Sequence, residues 1–130
     1  MPARILIVDD NYVARNSIRS FLNWHDFPVC GEAADGKDAI QKVRELKPDI
    51  VLVDVNMPGM NGIKTAAEII RISGRTKIVF LTIHNTPGAR NATRTWAHGF
   101  VAKSAAGSEL IPTLNRVLGD DRQTDRAPMF

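Results

Sequence analysis

Polar residues able to handle a phosphoryl group stand where the apolar runs of this 130-residue chain end. Ile5-Leu6-Ile7-Val8 is followed by Asp9-Asp10, and Ile50-Val51-Leu52-Val53 by Asp54. Ile78-Val79-Phe80-Leu81 is followed by Thr82, and Phe100-Val101-Ala102 by Lys103. Carboxylates crowded together repel, and a cation set among them relieves the repulsion. The set therefore points to a hard divalent metal at Asp9, Asp10 and Asp54. One of these aspartates would attack a phosphoryl group and hold it as an acyl phosphate. Such transfer needs positioning and charge neutralisation more than further covalent chemistry, and a lysine ammonium and a threonine hydroxyl supply both.

These residues act together only if the fold gathers them. Apolar runs rich in Val and Ile read as parallel strands buried on both faces. In an open parallel sheet the carboxyl ends of the strands share one edge, where ligands bind. Amphipathic stretches alternate with the runs, which predicts α/β architecture with right-handed crossovers. Val13, Ile18, Phe21 and Leu22 outline a first helix ending near Trp24, and Val29 to Ala33 reads as a weaker second strand. Asp38 is placed to cap the next helix after a turn at Gly36, with Ala39, Ile40, Val43 and Leu46 inward before the stop at Pro48. Met57-Pro58-Gly59-Met60-Asn61-Gly62 signals a turn into a third helix with Ile63, Ala66, Ala67 and Ile70 inward. A poor helix is expected over 89–97 and a last one from about Ser108 to Leu118. The domain then occupies 1–119, and the polar, aperiodic residues 120–130 read as a tail or truncated linker.

Composition narrows the function classes. The net charge is +3, and the positive excess falls in residues 64–103, where Glu68 is the only acid. Its charges are scattered, without the dense run or aromatic interleaving of a nucleic-acid stripe, so they read as a solvated surface. The single cysteine, Cys30, excludes an internal disulfide and reads as an inert buried thiol. His25, His84 and His98 lack zinc-ligand spacing and read as surface-loop residues. No apolar run approaches the ~20 residues of a membrane span, and Met1-Pro2-Ala3-Arg4 leaves no room for a signal peptide. A cytoplasmic protein without membrane contact is expected.

Asp9-Asp10, Asp54 with Val55-Asn56-Met57-Pro58-Gly59-Met60-Asn61-Gly62 after it, Thr82 and Lys103 resemble, in order and spacing, the receiver domain of two-component response regulators. The likeness extends from about Arg4 to Leu118. Leu81-Thr82-Ile83-His84 and Gly99-Phe100-Val101-Ala102-Lys103-Ser104 look most like receivers of regulators with a LuxR-type helix-turn-helix domain. The resemblance implies a flavodoxin-like (βα)5 three-layer sandwich with strand order 2-1-3-4-5, which sets Asp10 and Asp54 facing each other at the switch point. It implies that Asp54 accepts the phosphoryl group and that Mg²⁺ is bound by Asp10, Asp54 and the backbone carbonyl of Asn56, with Asp9 acting largely through water. Lys103 and Thr82 would contact the phosphoryl oxygens, and Thr82 and Phe100 would carry the switch.

The implied partner is a sensor histidine kinase or a phosphotransfer protein, with homodimerisation one outcome of activation. DNA would be reached only through a C-terminal domain not contained in these residues. The implied activity is that of a signalling domain, limited to self-phosphorylation and self-dephosphorylation. Two departures from the family's pattern bear on the site. Ser104 replaces the proline that follows the lysine in many receivers, so no cis-proline constraint is available, and Ile83 sets bulk where Ala or Gly is common, restricting access to Asp54. Competing readings are a hydrolase with an aspartate nucleophile, a nucleotide or flavin module, and a receiver-like interaction module that works without phosphorylation. The first wants an Asp where Asn56 stands, and the second a glycine-rich or hydroxyl-rich loop where Asp9-Asp10-Asn11-Tyr12 would repel phosphate. The third stays open.

Overall fold

The computed structural model describes residues 3–55, 61–83, 91, 94 and 96–126, with side chains described as far as Gly119. In chain order the elements are β1 (Ile5–Val8), α1 (Tyr12–Trp24), β2 (Val29–Ala33), α2 (Gly36–Leu46), β3 (Ile50–Val53), α3 (Gly62–Ile72), β4 (Lys77–Thr82), β5 (Gly99–Ala102) and α4 (Ala106–Arg126). A 3-10 turn over Lys103–Ala105 leads into α4. The strands pair in parallel in the order β2-β1-β3-β4-β5, the flavodoxin-like arrangement expected from the sequence.

Every residue of β1 and β3 is buried, which is why their apolar runs show no alternation. Leu6, Val8, Val51, Val53, Ile78 and Phe80 face Ala39 and Val43 of α2 and Ala66 and Ile69 of α3. Ile5, Ile7, Ile50, Leu52, Val79, Leu81 and Val101 face Leu22 of α1 and Leu110, Leu114 and Val117 of α4. The result is three layers with two cores. Burying each large aliphatic side chain contributes about 1.5–3 kcal/mol, and truncating one to Ala costs about 2–5 kcal/mol.

Helices α1, α2 and α3 start on side-chain caps. Asn11 accepts from Ala14 N at 3.0 Å, Asp35 from Asp38 N at 2.8 Å, and Asn61 from Lys64 N at 2.8 Å. The cap of α2 is therefore Asp35 rather than Asp38, and Gly36 is the first helical residue instead of a turn. A cap accepts the N–H two or three residues on, and Asp38 instead places its charge in the first turn, where the helix dipole favours it. The inward face of α3 is Thr65, Ala66 and Ile69, with Ile63, Ala67 and Ile70 half-buried. Thr65 can turn inward because its hydroxyl donates to Asn61 O at 3.1 Å.

Two further expectations are revised. Helix α4 runs past Leu118 to Arg126; one Gly costs a helix interior only about 1 kcal/mol, and no proline follows before Pro128. Cys30 is half-buried rather than buried, and desolvation pushes its thiol pKa up, with Arg4 opposing. His98 is exposed in the bend before β5, as expected of a surface-loop residue; its N–H donates to Ile78 O at 2.8 Å and its Nδ1 accepts from Ile78 N at 2.9 Å. The helix expected over 89–97 lies mostly outside the described residues, as does His84.

Candidate functional site

The register of the central strands assembles the site. Val8 of β1 pairs with Val53 of β3, and each is followed by an aspartate. The ladder continues one step further, with Asp54 N donating to Val8 O at 2.9 Å. A slip of one residue would send one of the two carboxylates to the opposite face. Asp9 and Asp54 are 2 % and 7 % exposed, whereas Asp10 is exposed. A carboxylate oxygen of each of Asp9, Asp10 and Asp54 lies within 4.8 Å of the others.

Asp9 is held at every polar group. Its N–H donates to Ala33 O at 3.0 Å, its Oδ1 accepts from Asn11 N at 2.9 Å, and its backbone carbonyl accepts from Arg15 Nη1 at 2.7 Å. Its Oδ2 accepts from Lys103 Nζ at 2.6 Å. Lys103 follows β5 directly and also reaches Asp54 Oδ2 at 3.7 Å. The three carboxylates and this ammonium, taken by themselves, carry a net charge of −2, which one divalent cation neutralises. The donors are all oxygens, a set that fits a hard ion such as Mg²⁺. Asn56, expected to add a carbonyl oxygen, lies outside the described residues.

Thr82 is the last residue of β4, fully buried and paired with Ala102 of β5. Strand alternation puts Thr82 on the face that carries Phe80, and Phe100, paired with Phe80, packs half-buried against the same core. The two residues expected to carry the switch thus share one face of the sheet. Ile83, one residue past Thr82, is 70 % exposed, so its bulk stands on the open side of the strand ends.

Three residues at the site escaped sequence reasoning. Arg15 reads in sequence as one more polar position of α1, yet it turns toward β1 and β2, where Glu32 meets it at 3.1 Å. The signal was Glu32 itself, a charge inside the strand run Val29-Cys30-Gly31-Glu32-Ala33. Gly62, noted only as part of a turn, packs against the end of β3. A Cβ there would collide with Asp54 O and lie 2.9 Å from Val55 Cα.

Residues 5–115 match the family model of the response regulator receiver domain, and the chain belongs to that family. It is 36 % identical to the chemotaxis protein CheY of Thermotoga maritima, over 90 % of this chain and 98 % of that protein. It is 33 % identical to the response regulator GacA of Pseudomonas viridiflava over 92 % of this chain, spanning 56 % of that regulator. The crystal structure of a LuxR-family two-component response regulator from Aurantimonas is similar with a TM-score of 0.85 and 33 % identity, covering 92 % of this chain and 87 % of that one. Fold, site and family together make this a receiver of two-component signal transduction.

Proposed function

We propose that Asp54 is the phosphoacceptor, taking its phosphoryl group from the phosphohistidine of a sensor kinase or a phosphotransfer protein. A carboxylate oxygen of Asp54 forms the new bond to phosphorus; the bond from phosphorus to the imidazole nitrogen breaks, and its electron pair leaves with the imidazole. The convergence of Asp9, Asp10, Asp54 and Lys103 at one edge of the sheet supports this reading. Mg²⁺ would be held by Asp10, Asp54 and the Asn56 carbonyl, with Asp9 acting through water, and when bound it neutralises charge on the phosphoryl oxygens. Lys103 supplies a point charge to those oxygens, Thr82 a hydroxyl, and Phe100 reports the change to the outer face of the sheet.

The receiver occupies 1–119, and 120–130 is a polar tail or a truncated linker. Activation changes its partner or makes a homodimer, and any contact with DNA is made only through a C-terminal domain outside these residues. The chain catalyses no more than its own phosphorylation and dephosphorylation, in the cytoplasm. No helix among the described residues is long and apolar enough to cross a membrane. Incubation with acetyl phosphate or a cognate kinase tests the reading: Asp54 should be labelled in a Mg²⁺-dependent way, and Asp54→Asn should fold and take no label. Mass spectrometry placing phosphate on Ser, Thr or His would overturn the assignment, and a folded protein that takes no label would leave a module working without phosphorylation.

A further inference from the structure

We propose that Arg15 is a positioning residue of the acid pocket, locked in place by Glu32 on the outer strand β2. A surface arginine ordinarily keeps its head in water, but the Arg15 side chain is only 14 % exposed and that of Glu32 17 %. The guanidinium spans two elements: Nε donates to Glu32 Oε1 at 3.1 Å and Nη1 to the Asp9 carbonyl at 2.7 Å. Its carbon lies 5.7 Å from the centre of the Tyr12 ring, within cation–π range. Glu32 is itself fixed, since Arg19 pairs with its second oxygen and Lys42 Nζ donates to its backbone carbonyl. A planar fork with two fixed partners is a rigid strut.

The strut ends on the main chain between the two acidic side chains. Holding the Asp9 carbonyl sets the peptide plane that joins Asp9 to Asp10, and thereby the direction in which the exposed Asp10 leaves the strand. Mg²⁺ demands near-ideal octahedral geometry, so a small rotation there weakens its binding. Outer-shell partners of metal ligands typically change affinity by about 10–100-fold when lost. This role rests on the proposed Mg²⁺ site.

Arg15→Lys separates position from charge, because it keeps the cation and loses the fork. Two measurements test the proposal. In the metal-free protein, hydrogen exchange at the Asn11 amide, which donates to Asp9 Oδ1, should quicken about fivefold, the factor of one ordinary hydrogen bond, while β1 amides are unchanged. In Mg²⁺ titrations, Kd should rise about tenfold in Arg15→Lys and in Glu32→Gln, with labelling of Asp54 regained at saturating Mg²⁺. A merely structural role would lower Tm and leave Kd alone. Unchanged exchange at Asn11 overturns the proposal, as does wild-type Mg²⁺ affinity in both folded variants. Failure of the wild-type protein to bind Mg²⁺ counts against the metal site instead, and the exchange measurement then decides the role of Arg15.

Discussion

Lys103 Nζ lies 2.6 Å from Asp9 Oδ2, although 94 residues separate the two in the chain. The contact ties the end of β5 to the end of β1 across two intervening strands. It also places the Lys103 ammonium where a metal's charge would otherwise act. A cation entering the pocket competes with Lys103 for Asp9, and removing that ammonium should favour the metal. Lys103→Met is therefore expected to bind Mg²⁺ at least about fivefold more tightly, since two unit charges about 4 Å apart interact by about 1 kcal/mol even at the dielectric of water and the ion carries two. Its labelling at Asp54 should nevertheless be slower. Calorimetric titration checks the first outcome, and weaker binding in the variant would contradict it.

Asp10 is the exposed member of the carboxylate cluster. Asp10→Ala should lose most of the stabilisation that Mg²⁺ gives the fold, because a ligand that binds the native state raises its stability by mass action. The metal-free variant should melt at the wild-type temperature or above it, since one repulsive charge is gone. Melting curves with and without Mg²⁺ read both effects. An unchanged Mg²⁺ shift would remove Asp10 from the metal site.

Ile83 stands largely in solvent one residue past Thr82. Truncating it should leave stability within about 0.5 kcal/mol of wild type, as for most surface changes. Any change in the lifetime of phosphorylated Asp54 then reports on access of water and not on packing. Ile83→Ala is expected to shorten that lifetime, measured as loss of label after removal of the donor. An equal half-life would assign the bulk at this position no part in guarding the acyl phosphate.

Burial raises the pKa of Cys30, so the neutral thiol is the form the fold prefers. Its stabilising effect is present below the thiol pKa of the unfolded chain and is lost as pH rises through that value toward the folded one. Alkylation by iodoacetamide should lag behind that of an unfolded control and catch up only at alkaline pH, because the thiolate is the nucleophile. A rate equal to the control's at neutral pH would contradict the raised pKa.

Much of this arrangement is legible in the chain. The runs Ile5–Val8 and Ile50–Val53 coincide with β1 and β3 because strands buried on both faces need unbroken apolar sequence. Asp54, Thr82 and Lys103 are legible for a related reason: a polar residue that ends such a run lies at the strand's carboxyl end, on the edge where the pocket forms, even where it stays buried as Thr82 does. Contacts set by tertiary placement are less visible. The pairing of Arg15 with Glu32 depends on how α1 lies over β2, and the ring of His98 takes an acceptor's place that only the β4–β5 neighbourhood creates. The cap of α2 was misplaced by three residues, since Asp35 and Asp38 offer the same chemistry and differ only in backbone conformation.

Gly62 gives the pocket a back wall made of main chain. Its N–H donates to Val55 O at 2.8 Å, and no side chain fits between it and the carbonyl of Asp54. The first residue of α3 and the end of β3 are thus held as one rigid unit with no adjustable part between them. The open side around Ile83 leaves room for substitution, while the face behind Asp54 admits one residue type.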